Sequence, residues 1–235
     1  MKHRCLATLV AFLVSSVTVA GQGQHLFILS GQSNMHRLDP NISFTPAVEK
    51  EFGKDNVIVV KHASSGQPIR RWYKKWDPAK ADKPEQIGTA YDKLMAAVNS
   101  KIKGKKIRTI TFVWMQGESD AMEETGHLYA ASLKGLLTQI RTDLQREDMN
   151  VVIGRITGIK PHKKFPQWET VRKAQVEVAE ADPHAAWVDT DEMNKKKDKK
   201  GKITKGGGVH FSVEGYKIVG ARFAEEAIKL VKKSL

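Results

Sequence analysis

Cysteine is nearly absent from this sequence: Cys5 is the only one among 235 residues. A single cysteine excludes a framework of intrachain disulfides and a zinc site built from several cysteines. Hydrophobic residues make up 40% of the chain, which excludes a wholly disordered protein. A chain of this length can bury a core of its own, so one domain of about 200 residues is expected.

Long apolar runs are absent beyond the N-terminus. Residues 1–4 carry two positive charges, Leu6–Ala20 contains no charged residue, and a small residue precedes Gly21. This order is typical of a cleavable signal peptide, whereas a membrane anchor would need a span of ~20 apolar residues. We therefore expect a signal peptide over residues 1–20 and one domain over residues 21–235. The mature protein would be secreted or periplasmic, with no membrane association.

Motifs for phosphates, dinucleotides and metals are also missing. The sequence contains no Gly-Lys-Ser/Thr phosphate loop, no His-Glu-x-x-His helix and no complete dinucleotide loop. Asp189 and Asp191 do not continue into a calcium loop, and the Gly-x-Ser-x-Gly nucleophile elbow is absent. We therefore expect neither a cofactor nor a metal.

Basic residues are in excess, with 39 Lys and Arg against 26 Asp and Glu and a formal net charge of +13. Such an excess can indicate binding to nucleic acid or another polyanion. Here seven lysines fall within Lys195–Lys205, and no nucleic-acid motif accompanies them. We therefore expect no nucleic-acid partner. The lysine-rich loop is interpreted either as a bias toward acidic glycans or as solvated surface.

Short apolar runs alternate with helical patterns along the chain. Strands are predicted at His25–Ser30, Asn56–Ala63, Ile107–Gln116, Asn150–Gly158 and Ala185–Asp191. Helices are predicted at Thr89–Ser100, 133–144, Trp168–Ala181 and 216–230. This alternation predicts a parallel sheet with helices on both faces. In such a sheet the functional residues lie at the carboxyl ends of the strands.

Four segments place polar residues at such strand ends or before the last helix. Ser33 follows the first strand on a glycine-bearing turn, and Gly66 follows the second. Gln116, after the third strand, has an amide that could donate to an oxyanion. His210 follows a glycine-rich turn and precedes the last helix. Ordinary turns, helix caps and a structural histidine are the alternatives for each segment taken alone.

Taken together, these segments resemble the SGNH hydrolases, and most closely the sialate O-acetylesterase-like group that includes carbohydrate esterase family 6. The shared blocks are Gly-Gln-Ser-Asn-Met at 31–35, Trp-x-Gln-Gly-Glu-x-Asp at 114–120, Val-Arg-x-x-Gln at 171–175, His-Phe at 210–211 and Gly-Ala-Arg-Phe-Ala at 220–224. The resemblance implies a three-layer α/β/α flavodoxin-like fold with a parallel sheet of five strands. It also implies hydrolysis of acetyl esters on carbohydrates, with an acetylated carbohydrate as substrate.

The resemblance also implies roles for individual residues. Ser33 would be the nucleophile, and His210 would be the base that activates it. The N–H groups of Ser33 and Gly66 and the side-chain amide of Gln116 would form the oxyanion hole. These roles agree with the residue types, because a serine hydroxyl is a weak nucleophile without an adjacent base.

One position departs from the family pattern. The family commonly has Asp three residues before the histidine, where this chain has Gly207. A carboxylate there would orient the imidazole. Three alternatives remain: Glu118 approaches His210, a backbone carbonyl within 206–208 accepts the imidazole proton, or the site is degenerate. In the last case the chain would be a catalytically silent module that binds glycans or polyanions.

Substrate contacts are expected from the loops around the site. The candidates are Arg70, Arg71, Trp72, Trp76 and Trp168. A tryptophan there can stack on a pyranose ring or pack against its own loop. Acetylated xylan, pectin and sialic acid are all compatible with these residues.

Overall fold

The computed structural model describes residues 23–77, 79, 84–159, 163–197, 203–204 and 208–235. The expected signal peptide lies outside the described residues. So do Gly207 and much of the lysine-rich loop. Within the described residues, no helix is both long enough and apolar enough to cross a bilayer.

The predicted parallel sheet is confirmed. Its strands run in the order β2-β1-β3-β4-β5, and every neighbouring pair is parallel. Their bounds are Gln24–Gly31 for β1, Val57–Ala63 for β2, Ile107–Met115 for β3, Asn150–Gly154 for β4 and Ala185–Val188 for β5. Strand β4 ends earlier than expected, because the N–H of Ile156 donates to the side chain of Gln175 and not to a neighbouring strand.

Seven α-helices lie in the described residues, and the last of them follows the final strand. They are α1 (Ser33–Arg37), α2 (Phe44–Phe52), α3 (Thr89–Ile102), α4 (Glu118–Met122), α5 (Tyr129–Leu144), α6 (Trp168–Glu180) and α7 (Val213–Lys233). The four predicted helices correspond to α3, α5, α6 and α7. Helices α1 and α4 are too short to show a helical apolar period. Helix α2 carries Pro46 in its first turn, where proline is tolerated but obscures the pattern.

The helices cover the sheet on both faces. Helices α2 and α7 pack together on one face, and α3, α5 and α6 cover the other. The expected three-layer α/β/α fold is therefore confirmed, and the strand order is the flavodoxin-like one. The central strands β1, β3 and β4 are buried along most of their length, whereas the edge strand β2 alternates. This contrast is expected when helices enclose a parallel sheet.

The strand order reverses at β1. The chain runs from β1 to β2 on one side and then returns to add β3 on the other side. In open sheets of this kind, ligands bind outside the carboxyl ends of the strands at the reversal point. Ser33 and Glu118 begin the helices that follow β1 and β3, so both residues lie at this edge.

Candidate active site

Gly31 makes the turn that presents Ser33. Its φ is +143°, and a Cβ at this position would lie 2.0 Å from the carbonyl oxygen of Met115. The N–H of Gln32 donates to the same oxygen at 3.0 Å. Only glycine fits this conformation and this close approach. Strand β1 therefore stays paired with β3 to its last residue, and Ser33 follows at the rim of the sheet.

Ser33 and His210 meet at this rim although they are far apart in sequence. The Nε2 atom of His210 lies 3.0 Å from the Oγ atom of Ser33. Burial, and secondarily the positive charge of Arg37, lower the pKa of His210 below its ordinary value. A neutral imidazole at hydrogen-bonding distance from a hydroxyl can accept its proton, which is the arrangement that activates a serine nucleophile.

The other imidazole nitrogen, Nδ1, has no hydrogen-bond partner among the described residues. Among the described residues Glu118 forms no hydrogen bond with His210; its Oε1 accepts from Nδ2 of Asn34 at 2.7 Å. Glu118 is therefore bonded to the residue that follows Ser33 in the chain. The other alternative for Nδ1 is a backbone carbonyl within 206–208. The carbonyl of Gly208 accepts from Nδ2 of Asn194 at 2.9 Å, and those of Gly206 and Gly207 lie outside the described residues.

Glu118 and Asp120 are both buried carboxyl groups. Burial raises the pKa of Glu118 to about 7 and that of Asp120 to about 6. Asp120 accepts from the N–H of Ile69 at 3.0 Å and caps the short 3₁₀ helix Ile69–Arg71. That helix lies in the loop after β2, so Asp120 ties this loop to α4.

Gln116 is fully buried beneath the site. Its Nε2 lies 2.6 Å from Oδ2 of Asp120 and 3.1 Å from both Oε1 of Gln32 and the carbonyl oxygen of Gln67. A side-chain amide has two hydrogens, and both are directed to protein acceptors here. Donation to an oxyanion would therefore require this amide to release one of those acceptors.

The backbone N–H groups of Ser33 and Gly66 are differently placed. The Ser33 N–H opens α1, where the first N–H groups have no partner within the helix. Gly66 is exposed, with a φ of +67° and open space where a Cβ would be. The N–H of Ser64 donates to the carbonyl of Gly31 at 3.0 Å, which ties this loop to the end of β1. Within the described part of the chain, no protein acceptor pairs with either N–H.

The three tryptophans proposed as sugar-binding groups are all buried, and Trp76 is only 4% exposed. Trp72 is 0% exposed, donates to Oγ of Ser30 at 3.1 Å and packs edge-on against Trp114. Trp168 is 4% exposed and donates to the carbonyl of Thr157 at 2.9 Å. The interpretation of Trp72 and Trp168 as substrate contacts is therefore wrong, because a buried indole offers no free face to a pyranose ring.

The arginines near the site fall into two groups. Arg70 is buried, and its guanidinium forms an ion pair with Glu123 at 2.5 Å. Arg71 donates to the side chain of Gln86. Both therefore hold the loop after β2 in place. Arg37, in contrast, is exposed at the end of α1 and pairs with no acidic residue in the described part of the chain. Sequence reasoning missed it, although its spacing of four residues from Ser33 places it on the same helical face.

A family profile described as "Carbohydrate esterase, sialic acid-specific acetylesterase" matches residues 36–229. Among curated proteins no match was found. A protein of Arabidopsis thaliana of known structure superposes with a TM-score of 0.66 and 18% identity, covering 88% of this chain and 98% of its own.

Two bacterial structures are also similar. A carbohydrate acetylesterase of Xanthomonas citri gives a TM-score of 0.61 and 14% identity over 86% of this chain and 55% of its own, so it is much longer. A carbohydrate acetylesterase family member of Sinorhizobium meliloti gives a TM-score of 0.58 and 13% identity, covering 89% of this chain and 100% of its own. At these identities the likeness establishes a shared fold.

Proposed function

Because the chain belongs to the carbohydrate esterase family described as sialic acid-specific acetylesterase, we propose that it is a serine esterase that removes O-acetyl groups from carbohydrates. The family membership confirms the resemblance seen in the sequence. The observation that carries the proposal is the 3.0 Å contact between Oγ of Ser33 and Nε2 of His210 at the strand-reversal edge.

Acylation starts with the Ser33 hydroxyl. His210 Nε2 takes the hydroxyl proton as Oγ attacks the acetyl carbonyl carbon, and the carbonyl oxygen becomes an oxyanion. The tetrahedral intermediate then collapses, and the bond from the acetyl carbon to the sugar oxygen breaks. The imidazolium of His210 gives its proton to that oxygen, so the sugar leaves as an alcohol and the acetyl group remains on Ser33.

Deacylation repeats these steps with water. His210 Nε2 takes a proton from water as its oxygen attacks the acetyl carbon. Collapse of the second intermediate breaks the bond to Oγ of Ser33, which regains a proton from His210. Acetate is released, and the dyad returns to its starting state. A lowered pKa of His210 suits both half-reactions, because the imidazole must be neutral when each begins.

The proposed oxyanion donors are the backbone N–H groups of Ser33 and Gly66. Fixed donors of this kind are worth about 3–4 kcal/mol each in related acyl-transfer sites. Gln116 would join them on releasing the carbonyl of Gln67, its only backbone acceptor in the described residues. Otherwise its role is to hold the end of β3 in place.

The substrate class proposed is an acetylated polysaccharide or a sialic-acid-like sugar, and we further propose that the protein is exported by a signal peptide over residues 1–20. Arg37 supports an acidic sugar, because an exposed guanidinium one turn from Ser33 can pair with a substrate carboxylate. The alternative of a catalytically silent binding module is less well supported, because such a module would not need the Ser33–His210 contact.

The test compares wild-type protein with Ser33→Ala for release of acetate. An aryl acetate and a panel of acetylated glycans, including acetylated sialic acid and acetylated xylan, serve as substrates. We expect turnover by wild type and a loss of about 10⁴-fold or more in the variant. Equal rates for the two proteins on every substrate would refute the esterase proposal and favour the binding module.

A further inference from the structure

Asn34, the residue after the nucleophile, uses the full hydrogen-bonding capacity of its side chain. It is 1% exposed. Its Nδ2 donates to Oε1 of Glu118 at 2.7 Å and to the carbonyl of Val209 at 2.9 Å. Its Oδ1 accepts from the N–H of Phe211 at 3.4 Å and from the hydroxyl of Tyr216 at 3.0 Å. An asparagine amide offers two donors and two acceptor sites, and all four are used.

Two of these partners are the residues on either side of His210. The carbonyl of Val209 and the N–H of Phe211 both bind the same amide. We call this pair of contacts the Asn34 clamp. Because Asn34 is joined to Ser33 by a peptide bond, the clamp connects the backbone that carries the proposed nucleophile to the backbone that carries the proposed base.

The remaining two partners of the amide are Glu118 and Tyr216. The NH₂ group of Asn34 faces Oε1 of Glu118. The Tyr216 hydroxyl donates, so the oxygen of Asn34 faces α7. With the amide turned by 180°, its oxygen would face the Val209 carbonyl and its NH₂ group would face the Phe211 N–H, so both contacts of the clamp would be lost. Glu118 is buried, and the Asn34 amide joins it to the segment that carries His210.

We propose that Asn34 is a positioning residue that holds His210 within hydrogen-bonding distance of Ser33. The proposal rests on the esterase function proposed above. It also gives the chain a means of fixing its base although Gly207 stands where the family commonly has a carboxylate. A carboxylate at position 207 and the Asn34 clamp would act differently: the carboxylate would orient the imidazole ring, whereas the clamp sets the position of the His210 backbone.

The experiment measures kcat and KM on an aryl acetate for wild type, Asn34→Ala, His210→Ala and the double variant. We expect Asn34→Ala to lower kcat about 10- to 100-fold, since small misplacements of a catalytic group have effects of this size. KM should change little, because a side chain that is 1% exposed does not reach the substrate. In the His210→Ala background the same substitution should lower the residual rate by less than about threefold.

The matched control is Asn150→Ala. Asn150 is also 1% exposed and also bonded through its side chain, to Ser234. It starts β4 at the opposite end of the sheet, so its loss should lower thermal stability and leave kcat unchanged. If Asn34→Ala does not fold, Tyr216→Phe removes only the hydroxyl that holds Oδ1. We expect this variant to lose about two- to fivefold in kcat, with the same dependence on His210.

The outcomes separate this inference from the proposed function. If wild type and Ser33→Ala have equal rates, the esterase function fails before the Asn34 variants are considered. If wild type is active, the inference is overturned by an unchanged kcat in Asn34→Ala. It is also overturned by an equal loss with and without His210, because such additivity would show that Asn34 acts on stability or on Ser33 alone.

Discussion

The two residues of the proposed dyad, Ser33 and His210, are held in different ways, and we call their surroundings the nucleophile side and the base side. Ser33 follows a central strand that is paired on both sides, and the turn before it is fixed by the fit of Gly31 against Met115. His210 lies in a half-buried segment between an edge strand and α7. In the described residues that segment is held mainly by side chains. Asn34 binds Val209 and Phe211, and Asn194 donates to the carbonyl of Gly208 at 2.9 Å.

This difference predicts which substitutions in the site lower the free energy of unfolding and which lower the catalytic rate. The nucleophile side is part of the sheet, so substitutions there are expected to reduce the free energy of unfolding. On the base side, Phe211 belongs to the core but His210 is only half-buried, so substitutions of His210 are expected to change the rate more than the stability. Comparing rate and unfolding in the same variants therefore tests whether the two sides are separable.

The largest effect is expected from His210→Ala on the base side. Loss of the base from a serine site lowers kcat by about 10⁴-fold or more. The free energy of unfolding should change by no more than about 1 kcal/mol, because His210 is only half-buried. Aryl acetate kinetics and urea unfolding on one preparation measure both quantities.

The control for this prediction is His184→Ala. His184 immediately precedes β5, at the end of the sheet away from the site, so its removal should leave kcat unchanged. A His210→Ala protein that unfolds several kcal/mol more easily would show that the base segment belongs to the core. Rate and stability would then not be separable between the two sides of the site.

The next effect, Gly31→Ala, concerns the nucleophile side. A methyl group would meet the Met115 oxygen at 2.0 Å, at a φ of +143°. We expect a loss of at least about 3 kcal/mol in the free energy of unfolding, since the strand end must move as well as adopt a strained backbone. Urea unfolding followed by circular dichroism measures it.

Gly104→Ala is the matched control for Gly31→Ala. Gly104 also has a positive φ, of +71°, but no atom lies within 4 Å of a Cβ built there. Its loss should be limited to the backbone strain, about 1–2 kcal/mol. Equal losses in the two variants would mean that the close approach of Gly31 to β3 has no energetic consequence.

A smaller effect is expected beneath the nucleophile side, from Gln175→Leu. The Gln175 side chain is fully buried; it donates to the carbonyl of Gln116 at 2.7 Å and accepts from the N–H of Ile156 at 2.9 Å. Leucine would leave the N–H of Ile156 unsatisfied, at a cost of about 1–3 kcal/mol in the free energy of unfolding, whereas the Gln116 carbonyl would keep the Tyr129 hydroxyl at 2.7 Å. Lys173→Leu, on an exposed position of the same helix, should change it by less than about 0.5 kcal/mol. A similar change in both variants would contradict a role for this buried network.

Much of this fold could be predicted from the sequence, because the sheet and its long helices depend on local apolar patterns. Each central strand contains an uninterrupted apolar run of three or four residues, and α5 and α7 show clear helical periods. Short helices gave no such signal. The sequence also does not show which way a side chain points. A tryptophan in a loop, such as Trp72, can stack on a ligand or pack inward, and only the fold buries it against Trp114.

The candidate site was predictable as a set of residues but not as a set of contacts. The strand-end rule brings Ser33, Gly66 and Gln116 to one edge, as expected from the chain alone. Asn34 gave no signal of its own, because its four partners come from α4, α7 and the segment before α7, which only folding brings together. The proximity of Arg37 to His210 likewise depends on how α7 meets α1.

The smallest predicted effect concerns pH on the base side. The pKa of His210 is lowered, first by burial and second by Arg37. Since the base must be neutral, kcat/KM should fall at acid pH with a midpoint below about 6.5, the ordinary value for histidine. Arg37→Gln removes a positive charge that disfavours the imidazolium, so its midpoint should move to higher pH. It should remain below the ordinary value, because burial is the larger cause.

Arg108→Gln is the control with the same change of charge. Arg108 lies near the start of β3, at the opposite end of the sheet, so its midpoint should coincide with that of wild type. The shift in Arg37→Gln should shrink as salt is added, because Arg37 is exposed and salt screens exposed charges. A midpoint that moves to lower pH, or moves equally in both variants, would contradict a local effect of Arg37. The half-buried setting of His210 would then be the sole cause of its lowered pKa.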